Sequence, residues 1–504
     1  MIYLSGIVNW VLKQRLKSIT EWKDYPLDAQ AKVFQQLTGF ARETEFGKKY
    51  DFSSIRYPEE FKARIPLQDY DTLKPFINRM IEGESNILWP TDIKWFAKSS
   101  GTTSDVSKFI PVSDEAFEDC HFRGGMDLLS TYINGNINSK IFNGKGLIVG
   151  GSHKVNQLNQ FSSFGDLSAV LMQNLKFYAQ WYRTPELNVA LMDDWEQKVE
   201  ILARKTIADD VTNISGVPTW TIVLIKKLFE ISGKSNLREI WPNLELYIHG
   251  GVSFEPYRNQ FRQLIAGDQM NYFETYNASE GFFAFQMDGN DRDLLLHLNN
   301  GIFYEFLPIS EYGKENAKTL QLHEVRENEN YGLVISTNAG LWRYLIGDTV
   351  RFTSLRPYKI VVSGRLKHFI NAFGEEVIVD NTDRAIADAS RETNSVVSDY
   401  TVAPVYLTFN EKGAHEWFIE FETEPSDLDL FKSVLDQSLR NHNSDYDAKR
   451  QKDLALQLPI IHSIPKGSFY EWLKLKNKVG GQHKIPRLSN NRIIAEELLA
   501  MISQ

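Results

Sequence analysis

Apolar positions in the first 90 residues fall at helical spacing. Ile7, Val11, Leu12, Leu16 and Ile19 recur at three- and four-residue steps, which predicts an amphipathic helix lying on the body of the protein. The stretch from Asp28 to Glu43 predicts a second helix. From Trp95 to about Val362 short apolar runs alternate with helix-spaced segments, a pattern of layered α/β structure. Gly146 to Val149, Leu244 to His249 and Gly332 to Ser336 read as strands, and Trp220 to Ile231 and Tyr257 to Ile265 as helices. Residues 283–362 carry short alternating strands broken by Gly, Asn and Asp, and predict an antiparallel, barrel-like subdomain. After Gly364 the pattern changes again. A helix from Asp383, a hairpin of Val402 to Thr408 with Glu416 to Glu422, a helix over Leu428 to Arg440, a strand from Leu456 to Ile464 and a helix near Ser468 to Lys474 make a smaller α+β domain.

Composition narrows the classes. At 504 residues the chain is too long for one simple core, so two or more domains are expected. The 56 basic and 65 acidic residues leave a net charge of −9, with no global attraction to nucleic acid or anionic membranes. Cys120 is the only cysteine, which excludes an intrachain disulfide and a cysteine-based zinc cluster and fits a reducing cytoplasm. Lys13, Arg15 and Lys17 follow the apolar run Ile2 to Leu12, the wrong order for a signal peptide. No apolar run reaches the roughly 18 residues of a membrane span. A soluble cytoplasmic protein is expected, with no nucleic-acid or membrane partner; its oligomeric state is unreadable.

Three segments carry chemistry. Ser99 to Lys108 reads Ser-Ser-Gly-Thr-Thr-Ser-Asp-Val-Ser-Lys, between the strand-like runs Ile93 to Ala97 and Phe109 to Val112. Such a loop offers backbone N–H groups, hydroxyls and one ammonium to a polyanion. It lacks the glycine spacing of a Walker loop, and a linker is the competing reading. The second segment is Phe273 to Gly281, where Glu280 is a candidate for holding Mg²⁺, which takes one or two carboxylates plus substrate phosphates. The third is Ser336 to Asp348. The two oxygens of the Asp348 carboxylate match a ribose diol, since a carboxylate only accepts hydrogen bonds. A solvated turn residue is the alternative for Glu280 and for Asp348 alike. Gly144 to Gly150 has its glycines on the wrong side of a strand for a dinucleotide fingerprint, and His323-Glu324 lacks the second histidine of a zinc protease.

In that order, Ser99 to Lys108, Tyr276 to Glu280 and Tyr344 to Asp348 resemble the signature of the adenylate-forming superfamily, and Gly364-Arg365-Leu366-Lys367 followed by Gly374 resembles its hinge. Within it, the chain is most similar to the Gretchen Hagen family of acyl-acid amido synthetases, the auxin-responsive enzymes of plants and their bacterial relatives, and a bacterial member is expected. Val8-Asn9-Trp10, Thr44 to Tyr50, Ser99 to Thr102, Gly340 to Asp348 and Gln482 to Arg487 carry that likeness across nearly the whole chain. Asp105, Leu345 and Trp342 depart from it, standing where a glycine, an arginine and a tyrosine are usual.

The resemblance implies a large adenylate-forming domain over 1–367, a hinge at 368–380 and a small mobile α+β domain over 381–504. It implies ATP and Mg²⁺ as cofactors, and a carboxylic acid and an amine, an amino acid above all, as substrates. By the same likeness Lys108, Glu280 and Lys484 are catalytic, with Glu280 also the metal ligand. Ser99, Ser100, Gly101, Thr102, Thr103, Gly250, Gly251, Tyr276, Ser279, Asp348 and Arg365 bind nucleotide. Phe161, Phe164, Leu175, Tyr178, Trp181, Pro218 and Trp220 are candidates for the acyl pocket, with ordinary core as their alternative. Lys474, Lys476 and Lys478 compete with Lys484 for the role of the tail lysine. Thioester formation on coenzyme A and a non-catalytic nucleotide or acyl-acid sensor are the rival functions.

Overall fold

The structure is a computed structural model. It describes residues 2–99, 108–150, 155–192, 195–251, 254–267, 270–366, 369–370, 377–405, 413–443, 446–447, 450, 456–476, 484–489 and 491–502. The chain divides into two compact units. The first takes Met1–Ile346 and Val350–Val361, and the second takes Gly347–Thr349 and Val362–Gln504. Residue 368 and residues 371–376 of the expected hinge lie outside the described residues.

The first unit opens with helices α1 (Ile2–Asp24), α2 (Pro26–Ala41), α3 (Glu45–Lys49), α4 (Pro58–Arg64) and α5 (Tyr70–Ile81). In α1 the buried stripe is Leu12, Ile19 and Trp22; Val11, expected on that stripe, is 44% exposed, because it lies about 100° round the helix from Leu12. Helix α2 starts two residues before the sequence expectation, since Pro26 is suited to the first helical turn, where no N–H donor is needed. Thr44 caps α3: its hydroxyl accepts from the Gly47 N–H at 2.9 Å and donates to the Ala41 carbonyl at 2.7 Å, fully buried. Thr44→Ala is expected to cost about 1–2 kcal/mol, read from the urea midpoint at unchanged slope.

Strands β1 (Trp95–Ser99) and β2 (Lys108–Val112) pair antiparallel, and a π-helical segment, Ala116–Phe122, leads into α6 (Arg123–Gly135). The strands that follow are β3 (Lys145–Val149), β4 (Asn156–Gln157), β5 (Ser163–Gly165), β6 (Arg183–Thr184), β7 (Val211–Gly216), β8 (Leu246–Gly250), β9 (Asn271–Ala278), β10 (Gly281–Phe285), β11 (Leu294–Leu296), β12 (Ile302–Pro308), β13 (Asn330–Thr337), β14 (Tyr344–Leu355) and β15 (Tyr358–Arg365), of which Gly347–Thr349 in β14 and the last four residues of β15 are counted with the second unit. Short helices α7 (Leu167–Gln173), α8 (Phe177–Gln180) and α9 (Leu187–Ala190) precede α10 (Trp195–Thr206), α11 (Pro218–Ser232), α12 (Leu237–Ile240) and α13 (Glu255–Leu264).

One 11-stranded sheet runs β12-β13-β14-β15-β11-β10-β9-β8-β7-β3-β6. From β6 to β9 it is parallel, as the strand–helix alternation requires, and β9, β10 and β11 are antiparallel neighbours. The antiparallel strands expected over 283–362 are therefore hydrogen-bonded to the parallel strands in one continuous sheet. Leu147, Ile214 and Tyr247 bury against Leu202, Leu228 and Phe261 from α10, α11 and α13. A larger core joins the N-terminal helices to the antiparallel strands.

In the second unit, β16 (Phe369–Ile370) pairs with β17 (Val377–Ile378). Strands β18 (Val396–Val405) and β19 (Ala414–Thr423) are antiparallel, and β20 (Ile460–Ile464) joins β19 in parallel. The last strand begins after Pro459 because proline cannot donate to a ladder. Helices α14 (Val379–Thr393) and α15 (Leu428–His442) cover Val402, Trp417 and Ile419, while α16 (Ser468–Leu475) and α17 (Ile493–Ile502) cover Ala403, Phe418 and Ile464. Among the described residues no helix is long and apolar enough to cross a membrane.

Candidate active site

In the first unit, the ends of strands bring candidate residues forward. Ser99 and Lys108 face each other as the last pair of the β1–β2 ladder, so the hydroxyl-rich loop leaves and returns at one place. Ser100, Gly101, Thr102 and Thr103 lie outside the described residues, as does the departure at Asp105. Lys108 holds its ammonium 5.7 Å from the Tyr70 ring centre, and the Tyr70 hydroxyl accepts from the Phe109 N–H at 2.9 Å. The negative face of an aromatic ring attracts an ammonium and so sets its direction.

Ser279 and Glu280 form the two-residue turn between β9 and β10, half-buried. Tyr276, buried on β9, packs its ring against Phe283 at 4.8 Å. Gly250 closes β8, and a side chain there would meet the Thr275 carbonyl at 2.5 Å; Gly251 follows at φ +77°, a conformation that favours glycine. Gly250 and Gly251 thus leave the backbone bare at the end of β8. His249 is buried beneath it, its ring 3.9 Å from that of Phe254, and burial with the Arg258 charge pushes its pKa down to about 3. The imidazole is neutral at physiological pH, so His249 brings no charge to the turn.

Among the described residues no group of three or more His, Cys, Asp and Glu side chains could hold a metal ion. One carboxylate in a turn, such as Glu280, fits Mg²⁺ carried mainly by phosphate oxygens, not a protein-only cage.

The acyl-pocket candidates are spread. Phe164, on β5, meets Phe109 edge-on at 5.3 Å and packs against the larger core. Phe161 is 51% exposed and covers Gly83, and Trp181 is 59% exposed. Leu175 is half-buried beyond α7. Pro218 and Trp220 belong to the first turn of α11, where Trp220 packs on the smaller core. The Tyr178 side chain lies outside the described residues.

In the second unit, Asp348 and Arg365 stand together, the guanidinium Nε 3.1 Å from the carboxylate. Gly347, at φ +97°, and the Leu366 N–H bonded to the Gly347 carbonyl at 2.7 Å hold the two segments in register. The segment carrying Lys484 lies along β18: the Val402 N–H donates to the Arg487 carbonyl at 2.8 Å, and the Thr401 hydroxyl donates to the Pro486 carbonyl at 2.6 Å. Arg487 pairs with Asp383 and sits 4.6 Å over the Tyr400 ring. Lys484 keeps solvent contact, yet loss of hydration first, then repulsion from Arg487, brings its pKa down to about 8, against the pull of Asp399. Its competitors are engaged elsewhere: Lys474 pairs with Glu471 at 3.7 Å and Lys476 with Glu497 at 2.6 Å, while Lys478 lies outside the described residues.

Sequence reasoning missed Arg487 as an anchor, although its place three residues after Lys484 was a signal. It also missed the buried Arg343–Glu305 pair and the contacts under the Glu280 turn.

The chain is similar to known proteins over nearly its whole described length. Residues 15–270 match the GH3 family N-terminal domain, 295–365 the GH3 family central domain and 380–493 the GH3 family C-terminal domain. Indole-3-acetic acid-amido synthetase GH3.4 of Arabidopsis thaliana is 23% identical, covering 94% of this chain and 91% of its own length. Jasmonoyl--L-amino acid synthetase JAR4 of Nicotiana attenuata is 25% identical, covering 91% and 90%. The solved structure of AtGH3.15 acyl acid amido synthetase in complex with 2,4-DB superposes with a TM-score of 0.80 at 16% identity, over 97% of this chain and 96% of that one. A 2-hydroxyisobutyryl-CoA ligase structure shares the fold at a TM-score of 0.59 and 12% identity, over 94% and 91%. The N-terminal model alone spans half of the chain, and the three models follow one another in order: the chain belongs to the GH3 family.

Proposed function

We propose that this chain activates a carboxylic acid with ATP and passes the acyl group to an amine, an amino acid being the acceptor class, with release of pyrophosphate and AMP. The chain is an ATP-dependent ligase of the acyl-acid amido synthetase kind. In the first step a carboxylate oxygen bonds to the α-phosphorus as pyrophosphate leaves. In the second the amine nitrogen bonds to the acyl carbon as AMP leaves, and the surplus proton goes to solvent. Positioning and charge placement carry both steps.

The observation that carries the reading is the Asp348–Arg365 pair at 3.1 Å, in a chain of this family. Asp348 accepts from the ribose hydroxyls while Arg365 meets the α-phosphate. Ser99, Ser100, Gly101, Thr102 and Thr103 donate to phosphate oxygens, and Lys108 offsets charge on the departing pyrophosphate. Gly250, Gly251, Tyr276 and Ser279 border the nucleotide. Glu280 would hold Mg²⁺, which supplies charge that polarises phosphoryl oxygens when bound. A reducing cytoplasm suits the single buried thiol.

Acid-dependent ATP–pyrophosphate exchange over a panel of aryl, indole and fatty acids tests the first step. Product analysis with amino acids and with coenzyme A tests the second. Exchange with at least one acid and an amide product are expected. A thioester with no amide would replace the acceptor, and ATP binding without exchange across the panel would sink the catalytic reading.

A further inference from the structure

The β9–β10 hairpin breaks its pairing at one place. Gly281 and Phe282 face Ala278 and Asn277, then the register slips so that Ala284 faces Tyr276, leaving Phe283 as the extra residue of a bulge. Both backbone polar groups of Phe282 are bonded to side chains from elsewhere in the first unit. Its N–H donates to Cys120 Sγ at 3.3 Å, and its carbonyl accepts from Asn300 Nδ2, which also lies 3.7 Å from the same sulfur. Cys120 and Asn300 are buried, at 2% and 0% exposure.

Neither partner is free to drift. Cys120 sits in the π-helical segment Ala116–Phe122, a wider coil than the α-helix that follows and one that recurs beside functional sites. Asn300 belongs to the β11–β12 loop, which is tied at each step. Gln30 Nε2 donates to the Leu298 and Ile302 carbonyls at 3.0 Å each, and its Oε1 accepts from the Tyr304 N–H at 2.9 Å. Arg123 donates to the Asn299 carbonyl at 3.0 Å. Beneath the turn, a side chain at Gly281 would lie 2.6 Å from Ile302 Cδ1, so the hairpin end is seated hard on this loop. Burial pushes the Cys120 thiol up to about 12, so the sulfur stays protonated and is no nucleophile.

We propose that Cys120 and Asn300 are positioning residues for Glu280: by bonding both backbone groups of Phe282, they fix the Ser279–Glu280 turn and with it the direction of the Glu280 carboxylate. The proposal rests on the reading of Glu280 as the carboxylate that meets the metal–nucleotide complex. Outer contacts of this kind tune metal affinity more than they tune the affinity for the acid.

The test compares Cys120→Val, Cys120→Ser, Asn300→Asp and Glu280→Gln. Valine removes the sulfur acceptor at similar volume, serine keeps an acceptor, and aspartate keeps the shape of Asn300 while losing its donor. Two constants are read: Mn²⁺ affinity of the ATP-bound protein by electron paramagnetic resonance, and the Mg²⁺ concentration for half-maximal pyrophosphate exchange. Thermal midpoints are recorded alongside. Cys120→Val and Asn300→Asp are expected to weaken both constants about tenfold, with Cys120→Ser close to the parent. Glu280→Gln is expected to weaken them at least as much. Lower midpoints with unchanged metal constants in the Cys120 and Asn300 variants, beside a shifted Glu280→Gln, would overturn the positioning role and leave the Glu280 reading standing. Unchanged constants in Glu280→Gln would remove that reading and the proposal with it. If Cys120→Val does not fold, the contrast between Cys120→Ser and Asn300→Asp decides in the same way.

Discussion

Arg343→Ala is expected to lower the unfolding free energy by about 3–5 kcal/mol, read by urea denaturation, because it leaves a carboxylate buried without its cation. Arg343 and Glu305 are 4% and 1% exposed. The guanidinium meets Glu305 Oε1 at 2.9 Å and Oε2 at 3.0 Å, the Thr319 hydroxyl at 2.9 Å and the Lys62 carbonyl at 3.1 Å, and it also reaches the Ile65 carbonyl. One residue thereby ties α4 and the segment after it to β12 and to the connection between β13 and β14. Its own backbone is at φ +44°, with its N–H donating to the Ser336 hydroxyl at 3.0 Å. Arg343→Lys is expected to recover only part of the loss, since an ammonium cannot reproduce the planar fork. Glu305→Leu paired with Arg343→Met is expected to cost less than the two single changes summed, because no charge is then stranded. Losses below about 1 kcal/mol for Arg343→Ala would mean that water enters and solvates Glu305.

What the sequence made legible follows from the range over which each feature is encoded. Apolar periodicity is local, so β3, β8, β13, α11 and α13 were readable within a residue or two. The strand end that carries Ser99 and the turn that carries Glu280 were readable for the same reason, whereas Asp348, expected at a strand end, lies inside β14. Long-range polar partners leave no local trace. Arg343 finds Glu305 38 residues away, Gln30 finds the Ile302 carbonyl 272 away, and Cys120 finds Phe282 162 away. From sequence Cys120 spoke only of redox compartment. Trp342, which read as a departure from the family pattern, is fully buried, donates to the Leu88 carbonyl at 3.1 Å and packs among Phe46, Phe52, Phe61 and Trp89. Phe46 and Phe52 lie in and beside the Thr44 to Tyr50 segment that carried the family likeness. The acyl pocket was the least legible part, because apolar residues that line a cavity and apolar residues that fill a core have the same composition.

Lys484→Ala is expected to slow acid-dependent pyrophosphate exchange about 10²- to 10³-fold, the scale of removing one placed cation from developing phosphoryl charge. Amide formation from preformed acyl-adenylate is expected to change far less, which separates a first-step cation from a scaffold residue. The pH profile gives a second reading. Lys484 has its pKa lowered from 10.5 to about 8, so it is charged below about 8 and neutral through a range where an ordinary lysine is still an ammonium. Adenylation is therefore expected to fall as pH rises through about 8. The fall cannot come from unfolding through this group. A lysine whose folded pKa is depressed binds fewer protons folded than unfolded between about 8 and 10.5, so its contribution to stability improves with pH across that window. Loss of hydration sets the fall where it is, and Arg487, which bonds to β18 and Asp383 and repels the ammonium, adds to it. Lys484→Arg is expected to flatten the alkaline limb while retaining part of the rate, because a guanidinium keeps its charge throughout. A rate that stays level from pH 7 to pH 9.5 in the parent enzyme would show that the adenylation step does not use the charge of Lys484.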